Sequence, residues 1–123
     1  MKLLLFGNPV LSVDNLAVNV GKELEKDGYE TLHLENPLGL LDLNLTEYVI
    51  IDVAYGLKDV KLIESVDRLV LGRLCSLHDF DMAYFLKLLK QLGKLDAIRI
   101  VAIPQDMPVA DAVLSVRGLL HNL

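Results

Sequence analysis

The sequence predicts an α/β domain, a three-layer α/β/α sandwich around a mainly parallel central sheet. Three observations lead there. Short apolar runs at residues 2–6, 48–52 and 97–103, the last two β-branched, are each closed by a turn residue or an acid, as buried strands are. Between them lie longer segments whose apolar residues recur at three- and four-residue steps, the signature of amphipathic helices. Strands alternating with helices imply right-handed crossovers, a parallel sheet and cover on both faces. The 123 residues suit one domain, taken as 1–123.

Each element has a local cause. The run "KLLLF" stops at Gly7-Asn8-Pro9 and reads as a strand buried on both faces. Over residues 13–27, Leu16, Ala17, Val20 and Leu24 form an apolar stripe opposite Lys22, Glu23, Glu25 and Lys26, and Gly28 supplies a helix stop. Residues 29–35 resemble a second strand, followed by "ENPLGLLDL", a loop or shallow helical turn. "YVIID" at 48–52 is the clearest buried strand and should be central. Residues 58–74 alternate in two short pieces that suit one or two edge strands. Ser76 and Asp79 form a capping box for a helix reaching about residue 91, with Met82, Phe85, Leu88, Leu89 and Leu92 on its apolar face. Residues 97–103 make another strand stopped by Pro104, and 109–120 a closing helix.

Composition narrows the function classes. Seventeen acids against 12 bases leave a net charge of −5, which repels phosphate backbones and anionic lipid, so neither nucleic acid nor a membrane is an expected partner. The opening "MKLLLF" breaks too early for a signal-peptide core, so a cytoplasmic location is expected. Cys75 is the single cysteine, which excludes an internal disulfide and a thiol-only metal site.

In sheets of this kind, ligands gather beyond the carboxyl ends of the strands. Asp14 follows the first strand, Asp52 closes the central one, and His78 opens a helix, so all three map to that rim. Two carboxylates and an imidazole suit a divalent transition metal with coordination positions left open. A helix start disfavours imidazolium and keeps a ring nitrogen of His78 available. Plain roles fit equally well residue by residue: Asp14 as a helix cap, Asp52 as an acceptor for loop amides, His78 as an exposed or capping group. Spacing alone does not join the three.

The segment "GNPVLSVDNLAV" at 7–18 resembles the opening of the nickel-iron hydrogenase maturation endopeptidases, with a Gly-Asn turn after the first strand and an acid, here Asp14, seven residues after the glycine. "YVIIDVAYG" is similar to the family's central strand ending in an acid, here Asp52. "SLHDFDMAYFLKLL" is similar to its histidine-opened helix, with His78, and "IRIVAIPQDM" to its late strand with an Ile-Pro exit. The likeness runs in order over residues 3 to 107. It departs at Val13, where many relatives carry a second acid, and at "ENPLG", which replaces a glycine-rich loop.

The resemblance implies a three-layer α/β/α fold and an aspartic-type endopeptidase that removes the C-terminal extension of a nickel-loaded hydrogenase large-subunit precursor. Asp14, Asp52 and His78 are then both the metal-recognising and the catalytic residues. The nickel arrives with the substrate, and another divalent ion such as cadmium could substitute for it. Asn8 in the Gly-Asn turn, with Gly39 and Gly56 in the loops 36–41 and 54–58, would line the groove for the substrate tail. No Ser-His-Asp or Cys-His set stands at a recognised spacing, so a covalent nucleophile is not suggested.

Three alternatives compete. One is a docking or chaperone-like relative that binds the precursor without cutting it. Another is a receiver-like domain with Asp52 as phosphoacceptor, although Gly7-Asn8 and Ile103-Pro104 stand where its magnesium-binding acids and its lysine belong. Dinucleotide binding lacks its fingerprint, because the next glycine after Gly7 is Gly21.

Overall fold

The computed structural model describes residues 2–6, 16–34, 43–54, 56–63, 91–92 and 99–123. Five strands and two helices are defined among them: β1 (Lys2–Phe6), α1 (Leu16–Glu25), β2 (Glu30–Leu34), β3 (Tyr48–Ala54), β4 (Lys61–Ile63), β5 (Arg99–Pro104) and α2 (Val109–His121). The strands form one sheet in the order β2-β1-β3-β5-β4. β1 pairs in parallel with β2 and β3, and β3 in parallel with β5, while β4 runs antiparallel to β5 at the edge. The expectation of an α/β fold with a mainly parallel sheet holds.

Strand alternation divides the sheet into two faces. Leu3 and Leu5 of β1, Val49, Ile51 and Val53 of β3, and Val101 and Ile103 of β5 share one core with Leu16, Ala17, Val20 and Leu24 of α1 and Ala112, Val113, Val116 and Leu120 of α2. Both described helices therefore lie on this face. The opposite face carries Leu4, Ile50, Ile100 and Ala102, each at most 1% exposed. Burial on both sides is what a three-layer arrangement requires, and it explains why these strands read as continuous apolar runs.

The punctuation follows the sequence. At the end of α1, Gly28 has φ +95°, and the amides of Lys26, Asp27 and Gly28 donate to the carbonyls of Glu23, Leu24 and Glu25. Asn44 accepts hydrogen bonds through its side chain from the Thr46 amide (3.3 Å) and hydroxyl (2.7 Å), which fixes a 3-10 turn at Leu45–Glu47 that feeds β3. α2 starts after Pro108, whose carbonyl accepts from Ala112, and carries Asp111 in its first turn, where a negative charge favours the helix dipole. A forked ion pair from Arg117 of α2 to Asp27, with Nε–Oδ2 at 2.6 Å, ties the two helices together at the surface.

Some expected boundaries shift. β3 continues two residues past Asp52, because Val53 and Ala54 pair with Ile103 and Pro104 of β5. Asp52 therefore stands inside the strand instead of closing it. Pro104 is itself the last residue of β5, a position at which its missing amide hydrogen costs nothing in the ladder. Of the expected edge pieces, β4 is defined and residues 64–74 lie outside the described set. Gln91 is helical and Leu92 is a turn residue, in line with the expected end of the helix opened near His78.

Candidate functional site

The rim at the carboxyl ends of β1, β3 and β5 is fixed by register. Leu5 pairs with Ile51, Val53 with Ile103, and Ala54 with Pro104, so the three central strands finish close together. The chain leaves β1 toward β2 on one side, while β3 adds on the other. The crevice between β1 and β3 is thus the point at which strand order reverses, the usual place for a ligand in such sheets.

Asp52 sits at this crevice and is fully buried, the only buried polar or charged side chain among the described residues. By alternation its carboxylate lies on the face of Leu4, Ile50 and Ala102, away from α1 and α2. One oxygen, Oδ1, accepts from the amide of Val53 at 2.9 Å. Removing a carboxylate from water costs several kcal/mol before compensation, and an apolar residue at this register position would meet no such penalty.

Gly56, the groove residue expected after the central strand, has φ +81°, and a Cβ placed on it would meet no heavy atom within 4 Å. Its requirement for glycine is conformational, and the backbone there stands open on one side. Asp14, His78, Asn8 and Gly39 lie outside the described residues, as does Cys75. Among the described residues no three His, Cys, Asp or Glu side chains cluster closely enough to hold a metal ion, so Asp52 would need ligands from elsewhere. No described helix is long and apolar enough to cross a membrane.

Sequence reasoning does not single out Gly21 as a packing residue. Its helix position stood only as evidence against a dinucleotide fingerprint, yet it lets α1 lie against Leu5 one residue before the end of β1. No local signal in the sequence pairs those two positions.

No protein-family model matches the chain, and no curated protein matches it either. Among solved structures, an uncharacterized protein from Wolinella succinogenes is similar with a TM-score of 0.62 and 15% identity, over 98% of this chain and 94% of that one. The endopeptidase HycI from Escherichia coli is similar with a TM-score of 0.60 and 16% identity, over 98% of this chain and 88% of that one. The likeness is one of fold. It extends over nearly the full chain, so the α/β fold is shared.

Proposed function

We propose that this chain is an endopeptidase that removes the C-terminal extension of a nickel-loaded hydrogenase large-subunit precursor, and that it recognises the metal through Asp14, Asp52 and His78. The observation that carries the reading is the complete burial of the Asp52 carboxylate at the β1–β3 crevice, among the buried apolar residues Leu4, Ile50 and Ala102. The ordered sequence motifs support it, as does the fold shared with an endopeptidase. In this mechanism the nickel belongs to the substrate, and the protease adds ligands to it, so that only a metal-loaded precursor is seated for cleavage. A carboxylate screened from bulk water binds a cation more strongly than an exposed one, and in this mechanism one of the two carboxylates would serve as general base toward an attacking water.

The docking-only reading differs in outcome alone. Incubating the protein with nickel-loaded precursor separates the two: a shortened precursor supports the protease, and a stable complex of unchanged length supports the docking relative. The receiver-like reading is disfavoured by strand order: its sheet runs 2-1-3-4-5, whereas here β5 lies between β3 and an antiparallel β4.

A further inference from the structure

Two glycines in the described helices contrast sharply. Gly21 in α1 is needed because Leu5 occupies the space a side chain would fill. Gly118 in α2 has no such reason: a Cβ there meets no heavy atom within 4 Å, and its helical backbone is open to any residue. A glycine inside a helix weakens it, so within one copy of this chain Gly118 is a cost without a return. One turn away, Leu114 is 65% exposed, the most exposed of the large apolar side chains among the described residues.

Asp111, Leu114, Gly118 and His121 are all exposed and follow one another at steps of three, four and three. That spacing places them along a single narrow seam of α2, the seam by which helices pair. The adjacent Arg117 is drawn aside by Asp27 and leaves the seam uncharged at its middle.

We propose that this seam is a contact between two copies of the chain, with the two α2 helices antiparallel about a two-fold axis near Val116. The register then follows from the numbering alone. Leu114 and Gly118 lie two residues either side of position 116, and Asp111 and His121 lie five either side. A two-fold axis there sets each Leu114 over the gap at Gly118 of the other copy. The same axis sets each Asp111 carboxylate beside a His121 imidazole, whose ring N–H can donate to it, so polar pairing and shape are satisfied by one register. The surface is self-complementary in the way an isologous interface must be. A single pair of helices of this length buries less than the ~1,000 Å² of a stable complex, and each copy carries a net charge of −5. The dimer is therefore weak and forms only at high protein concentration.

Sedimentation equilibrium of the full chain up to ~1 mM tests it, a range chosen for an affinity between micromolar and millimolar. The weight-average mass is expected to rise from 13.7 kDa toward twice that value. Leu114→Gly and Gly118→Leu should each weaken association by about tenfold or more, as removing or blocking one buried leucine does. The two changes combined exchange knob and gap and should restore it. Gly118→Leu alone should leave the Tm at low concentration unchanged or higher, which separates loss of the contact from loss of the fold. A mass fixed at 13.7 kDa throughout, or a double variant no better than the single ones, overturns the proposal.

Discussion

Gly21 of α1 lies directly against Leu5 of β1: a Cβ at position 21 would come within 2.8 Å of Leu5 Cγ and nearer still to both of its methyl carbons. Leu5 is 2% exposed and packed in the main core, so it has little room to turn away. Gly21→Ala should gain about 1 kcal/mol of helix propensity and lose about 1–3 kcal/mol to overpacking, for a net loss. Denaturant unfolding checks the sign. Combining it with Leu5→Ala should cost less than the sum of the two single changes, and strict additivity would show that the two positions do not interact.

Asp52→Asn keeps the size of the side chain and its acceptor for the Val53 amide while removing the charge. Stability should change by no more than about 1 kcal/mol, because losing a buried charge offsets the weaker hydrogen bond. Cleavage of nickel-loaded precursor should be lost. A variant that still trims the precursor at the wild-type rate would remove Asp52 from the catalytic set.

Gly28 and Gly56 have φ of +95° and +81°, where a Cβ costs roughly 1–2 kcal/mol. Gly28→Ala and Gly56→Ala should therefore lower stability by similar amounts in thermal melts. Only Gly56→Ala should also raise the KM for precursor, since Gly56 alone of the two lies by the proposed groove.

The Arg117–Asp27 pair is forked but half exposed, with side chains 45% and 32% accessible. Its contribution should be at most about 1 kcal/mol and should shrink as salt is added. A double-mutant cycle with Arg117→Ala and Asp27→Ala at low and high ionic strength measures both properties. A coupling well above that figure would mean that the pair orients α2 on α1 and is more than a surface contact.

The strands "YVIID" and "RIVAIP" were legible because burial on two faces leaves a run of β-branched residues with little else to explain it. The stop at Gly28 was legible because only glycine takes that φ at low cost. The end of β3 was not. An acid looks like a terminator from its local sequence, and the two residues beyond Asp52 are held by pairing with Ile103 and Pro104, fifty positions later. The direction of β4 was equally hidden, since three residues carry no mark of which way they run. At the candidate site, the position of Asp52 beside the crevice could be read, but its burial could not, because the neighbours Leu4 and Ala102 are brought there by pairing. The need for Gly21 escaped for the same reason.

The reversed course of β4 has one more effect. Ile63 aligns with Ile100, so β4 finishes level with the beginning of β5, at the end of the sheet remote from the rim. Pairing alone therefore sets the height of β5 beside β3, and with it the rung at which Ala102 flanks Asp52, whatever the number of residues that join β4 to β5.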